Sequence, residues 1–103
     1  MTATVSAAAE KNIFRRTNSQ LGRHVAISPA NSSMRHLAYA RVVLNSEKPS
    51  ESFSTGERET GLICLSGEAT VRVDEKDIAL GRRDAVYIPR DSAVKISTKS
   101  AAD

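Results

Sequence analysis

TGERETGLICLSGEATVRVDEKDIALGRRDAVYIPRDSAVKI, residues 55–96, is the stretch whose pattern decides the fold class. An apolar run over residues 62–65 closes on Gly67, and Ala69, Val71 and Val73 then alternate with Thr70, Arg72 and Asp74. That period of two is the signature of a half-buried strand. The two segments, 61–66 and 69–73, read as a hairpin turning at Gly67-Glu68. A turn over 74–77 leads into Ile78, Ala79 and Leu80, ended by Gly81. Residues 85–88 and 93–97 form two more short strands, separated by turn formers Pro89, Asp91 and Ser92. Short strands at close spacing, without a helical period, predict an all-β barrel or sandwich.

Working upstream, HLAYARVVL at 36–44 is a strand with Ala38, Ala40, Val42 and Leu44 on one face and Leu37, Tyr39, Arg41 and Val43 on the other. Both faces carry apolar residues, which predicts cover on both sides. NSEKPSESFST at 45–55 is rich in turn formers around Pro49 and a lone Phe53, and reads as a loop towards the mouth of the fold. Further back, Ile13-Phe14 and residues 24–27 are candidate outer-edge strands, ended by Ser28-Pro29. Residues 1–11 carry no apolar period and are expected to form a mobile leader. Residues 98–103 read as a polar tail, which leaves 12–97 as the folded unit.

At 103 residues the chain supports one small domain. With two Phe, two Tyr and no Trp, its core must be built from Val, Ile, Leu and Ala. Fifteen Lys and Arg against twelve Asp and Glu give a net charge of +3. They are interspersed rather than gathered, so nucleic-acid binding has no support, whereas a mild positive field suits a small acidic ligand such as a sugar acid. A single cysteine, Cys64, excludes an intramolecular disulfide. Its neighbours Ile63 and Leu65 favour a protonated, inert thiol, and no Cys-His-acid arrangement suggests a nucleophile. No apolar run approaches the ~18 residues of a membrane span, and no signal segment opens the chain. The expectation is a soluble, cytoplasmic protein.

TGERE (55–59), LICLSGEATV (62–71), LGRRD (80–84) and YIPRDSAVKI (87–96) resemble the cupin superfamily. More narrowly, they resemble the first barrel of the family of 5-deoxy-glucuronate isomerase and 5-keto-4-deoxyuronate isomerase, and MRHLAYARVVL (34–44) is similar to the strand preceding TGERE there. The resemblance implies a single small cupin-like antiparallel β-barrel of jelly-roll type. It also implies an aldose–ketose isomerisation of a sugar acid, as in inositol catabolism, in which a metal polarises a carbonyl while an acid–base group moves a proton.

A metal-binding cupin places HxH shortly before a Glu and a third His after an IPxG turn. With Glu59 at the Glu place, the His places fall on Ser52 and Ser54, or on Phe53 and Thr55, and after Ile88-Pro89 on Val94, with Asp91 at the glycine place. None is His, and Glu59 alone does not hold a divalent ion. No metal and no other cofactor are therefore expected here. His24 and His36 lie before the motif at no ligand-like spacing.

The candidate ligand-binding residues are Arg58, Glu59, Arg41, Arg72 and Tyr87. Arg58 suits a carboxylate through its planar fork, and an interior Glu59 needs a hydrogen-bond partner. Arg41 and Arg72 sit within strands and face water or a polar cavity; Tyr87 packs, or stacks on a sugar ring. Arg82, Arg83 and Arg90 flank the 85–88 strand, as solvated loop charges in the favoured reading, or else to recruit an anionic sugar or pair with a partner domain. Three functions remain open: an isomerase half that needs a second polypeptide, a metal-free cupin binding a sugar acid or small anion, and an interaction module. The partners these imply are a small acidic sugar, a second copy, or a second cupin domain.

Overall fold

The alternation read at Val71 is realised in a computed structural model that describes residues 13–103, in which eight strands and no helix occur among those residues. They are β1 (Gly22–Ile27), β2 (Tyr39–Val43), β3 (Ser50–Ser54), β4 (Thr60–Ile63), β5 (Ala69–Val73), β6 (Lys76–Leu80), β7 (Ala85–Ile88) and β8 (Ala93–Ser97). The expected leader, 1–11, lies outside the described residues. Ile13-Phe14 forms no strand.

The class is all-β, as expected, but the ladders do not close into the single barrel. A four-stranded sheet β3-β8-β5-β6 faces two separate pairs, β1-β2 and β4-β7, all antiparallel, in a sandwich-like arrangement. One seam shows why closure fails. The backbone N–H of Arg23 on β1 donates to the Glu51 side chain on β3 at 3.0 Å, so a carboxylate stands where a ladder carbonyl would. A Cβ at Gly22 (φ 80°) would lie 2.6 Å from that same carboxylate.

Leu44, Cys64, Val71, Leu80, Ile88, Val94 and Ile96 form the core, contributed by both layers. Each fully buried aliphatic side chain contributes about 1.5–3 kcal/mol. An apolar gap of about 30 Å³ lies among them, lined by Leu44, Leu62, Cys64 and Val71. Its lining is almost wholly apolar, with Asp103 at one side, so it is a packing gap rather than a ligand site.

Further sequence expectations are corrected. Residues 50–54 are not loop but β3, paired along its whole length with β8. Its serines have low strand propensity, yet Phe53 packs against the core while Ser52 and Ser54 face out, so tertiary pairing overrides composition. The hairpin is not β4 with β5. β4 pairs with β7, and β5 turns into β6 through Asp74, whose φ is 54°. Between β4 and β5 the chain crosses layers at Gly67 (φ 76°), where a Cβ would meet the Ala101 carbonyl oxygen at 2.1 Å.

That close approach arises because the end of the chain, read as a polar tail, docks. Ala102 is buried and bridges both Leu44 and Gly67. Leu44 and Ala102 exchange backbone hydrogen bonds of 2.9 and 3.0 Å, and the Asp103 N–H donates to the Ser66 carbonyl at 3.1 Å.

Candidate functional site

A cleft of about 770 Å³ opens between the β1-β2 pair and the start of β4. Small-molecule sites run roughly 300–1,000 Å³. Its apolar wall comprises Val25, Leu37, Ala40, Val42, Phe53 and Leu62, and its polar groups are Arg23, His36, Glu57, Arg58, Glu59 and Arg90. The composition follows from topology: β1 to β4 and the segment before β2 supply the wall, β1 adds Arg23, the segment before β2 adds His36, and the turns before β4 and after β7 supply the other charges.

Three guanidinium groups share this cleft, and none of Arg23, Arg58 and Arg90 forms an ion pair with a carboxylate among the described residues. The Arg23 guanidinium carbon lies 4.6 Å from the Phe53 ring centroid, a cation–π contact that lays it along the wall.

The turns carrying Arg58 and Arg90 are tied to each other. Thr55 and Ser92, 8% and 3% exposed, exchange a backbone hydrogen bond at 3.0 Å, Thr55 N–H to Ser92 carbonyl. The Ser92 N–H donates to Thr55 Oγ1 at 3.0 Å, and that hydroxyl donates to the Pro89 carbonyl at 2.8 Å. The Asp91 N–H donates to the Gly56 carbonyl at 2.8 Å, with Gly56 and Asp91 both at φ 58°. The left-handed conformation is open to Gly and tolerated by Asp, which is why these residues occupy the two tips.

Glu59 lines the cleft and accepts a hydrogen bond from the Tyr87 hydroxyl at 2.7 Å. That bond, with the nearby carboxylate charge, holds the phenol protonated to higher pH than usual. Tyr87 itself lies outside the cleft, exposed on the outer face of β7.

Of the five residues singled out from sequence, the structure brings Arg58 and Glu59 together in the cleft, with Tyr87 joined to them only through Glu59. Arg41 turns away and binds Asp103 through two guanidinium nitrogens, with Tyr39 Oη accepting a third bond at 3.1 Å. Asp103, then Tyr39, raise its pKa still further above the ordinary arginine value. Arg72 is exposed on the four-stranded sheet, 3.6 Å from Asp77. Sequence reasoning missed Arg23, His36 and Phe53 as companions, and gave Arg90 an anionic-sugar role only as the less favoured alternative to a solvated loop charge. Phe53 had a signal, being the lone aromatic of a polar stretch, and Arg90 followed the Ile88-Pro89 turn directly. Arg23 and His36 had none, because only the β1-β2 pairing brings them to residues 57–59.

The implied metal finds no donor set among the described residues. Among the described residues no three of His, Cys, Asp or Glu are grouped to hold an ion. Glu57, Glu59 and His36 share their cleft with three arginines, surroundings that disfavour a divalent cation. Cys64 is buried in the core, where desolvation pushes its thiol pKa up. No helix among the described residues is long and apolar enough to cross a membrane.

The sequence model of the KduI/IolB family matches residues 12–103. Among curated proteins, none matches the chain.

Proposed function

The chain belongs to the KduI/IolB family, and on that premise we propose that its cleft binds a small monoanionic sugar acid, as the ligand-holding domain of a sugar-acid isomerase-type protein. The observation that carries this is the set of three guanidiniums, Arg23, Arg58 and Arg90, none ion-paired among the described residues, in one cleft with an apolar wall. Arginine forks match carboxylates bidentately, and Phe53 with the β1-β2 wall offers an apolar floor to a sugar ring. Three guanidiniums against the carboxylates of Glu57 and Glu59 leave one positive charge, the complement of a monoanion rather than of a sugar phosphate. What these residues do is bind and orient; no chemical step is routed through a metal that the donors do not fit. The open, cupin-like pair of layers and a cytoplasmic setting belong to the same proposal.

The test is thermal unfolding with glucuronate and galacturonate against glucose and galactose. A ligand at tenfold its Kd adds about 1.4 kcal/mol, which raises Tm by about 6–11 °C for a domain of this size. Stabilisation by the uronates and not by the neutral sugars is expected. Equal responses, or none, would sink the proposal.

A second reading concerns assembly. Ile63, Leu65 and Tyr87 are 59%, 48% and 61% exposed on the outer face of the β4-β7 pair, next to both of its unpaired edges. An apolar face of this kind suits a second copy or a second cupin domain. Light scattering of the wild type and of Ile63→Lys tests it, with a dimer lost in the variant as the expected outcome and a wild-type monomer as the contrary one.

A further inference from the structure

Arg58 and Arg90 come from turns separated by more than thirty residues of chain, yet those turns meet tip to tip through a buried hydroxyl. The Thr55 hydroxyl donates to the Pro89 carbonyl at 2.8 Å and accepts from the Ser92 N–H at 3.0 Å. On the Arg58 side, the Arg58 N–H donates to the Thr55 carbonyl at 3.1 Å. On the Arg90 side, the Pro89 carbonyl also accepts the Ser92 hydroxyl at 2.9 Å. Thr55 is thus bonded directly to the residues adjoining both arginine positions.

We infer that Thr55 and Ser92 form a clasp that presets Arg58 and Arg90 as one acid-group subsite, taking the single carboxylate of the ligand, while Arg23 on Phe53 floors the sugar ring. The inference rests on the sugar-acid reading and adds to it which end of the cleft takes the charge and what positions it. A hydroxyl supplies one donor and two acceptor sites, and Thr55 uses both kinds. Valine has the same shape and neither capacity, so Thr55→Val unties the turns without emptying the volume. Neither Thr55 nor Ser92 lines the cleft; both are positioning residues that act through the arginines. Presetting matters because loop ordering on binding is subtracted from affinity. Arginines on turns already tied leave less to order.

The experiment is calorimetric titration of glucuronate into the full chain, at a temperature where circular dichroism shows every variant folded. Wild type, Thr55→Val, Thr55→Ser and Arg58→Ala are compared with the Thr55→Val/Arg58→Ala double variant. Losing one such hydrogen bond corresponds to about a three- to tenfold weaker affinity. That loss is expected for Thr55→Val, with Thr55→Ser within about twofold of wild type, since serine keeps the hydroxyl. In the Arg58→Ala background the further loss from Thr55→Val should shrink, because a residue acting through Arg58 is coupled to it. A merely structural Thr55 would lower Tm, leave affinity in the folded protein unchanged, and show no coupling. Either of those results overturns the clasp while wild-type binding keeps the sugar-acid reading. Wild type that binds no uronate overturns both. Should Thr55→Val not fold, Ser92→Ala, which loses the hydroxyl's bonds to the Pro89 carbonyl at 2.9 Å and the Arg90 carbonyl at 3.5 Å, takes its place with an expected loss of about threefold.

Discussion

Arg41 holds Asp103 through two parallel hydrogen bonds, Nε to Oδ1 at 2.9 Å and Nη2 to Oδ2, so the last residue of the chain is tied to the middle of β2. Both side chains are 18% exposed, so the pair is shielded from water more than a typical surface ion pair. Asp103→Ala is expected to cost about 1.5–3 kcal/mol, the range for a hydrogen bond to a charged group, measured by urea unfolding. Ala102→Asp should cost more, because it puts an unpaired charge where Ala102 bridges Leu44 and Gly67. A variant at either position with wild-type stability would mean that the end of the chain is not part of the fold.

Gly67 marks the place where the chain passes between layers. Its φ of 76° and the Ala101 carbonyl 2.1 Å from a would-be Cβ act in the same direction. Gly67→Ala is expected to destabilise by about 2 kcal/mol or more, with rapid hydrogen exchange at the Leu44 and Ala102 amides, whose mutual bonds the displaced backbone breaks. Retained protection at those amides would show that the crossing tolerates a side chain.

Glu51 seals the seam between β1 and β3. The Arg23 N–H that it accepts, together with Lys48 at 3.7 Å, holds its carboxyl below the ordinary value. A carboxyl depressed in the folded state adds stability that is fully present above its unfolded pKa, near 4.3, and is lost as pH falls through the lower folded value. Glu51→Gln should therefore lower stability at pH 7 by about 1 kcal/mol, with the difference from wild type vanishing towards pH 2. A difference that persists in acid would assign the loss to packing rather than to charge.

The Tyr87 phenol titrates above its usual value because its proton is held by Glu59. A phenol raised in the folded state contributes stability present below its unfolded pKa, near 10, and lost as pH rises through the higher folded value. Ultraviolet titration of phenolate should show the Tyr87 transition moving down in Glu59→Gln. No movement would mean that the Tyr87–Glu59 hydrogen bond does not hold the phenol's proton.

How much of this was legible follows from where each signal lives. β5, β7 and β8 were readable because their alternation is local: Val71, Ile88, Val94 and Ile96 are buried where a period of two puts them. β3 was hidden because Ser50, Ser52 and Ser54 look like loop, and only the β8 partner makes them strand. The β4-β7 pairing was hidden because nothing local to Gly67 says whether the chain turns back or crosses. In the site, Arg58 and Glu59 stood in the motif that carries the resemblance. Arg23 and His36 reach them only through the β1-β2 pair, and alternation alone placed Arg41 on a face without saying that Asp103 waits there.

Arginine position, rather than arginine charge, separates the cleft from the rest of the surface. Arg58 and Arg90 stand in the cleft with no ion pair among the described residues, while Arg72 is 51% exposed beside Asp77 on the far sheet. Every one of these changes to Ala removes the same unit charge, so a ligand drawn only by net charge would respond to all three alike. Glucuronate affinity is expected to fall about tenfold or more in Arg58→Ala and in Arg90→Ala, the loss of a charge-assisted bond, and to stay within about twofold in Arg72→Ala. Raising salt should weaken wild-type binding and do so less in the Arg58 and Arg90 variants, because each has one fewer ion-pair contact to screen. Equal losses in all three variants would move the ligand from the cleft to the general field of the protein.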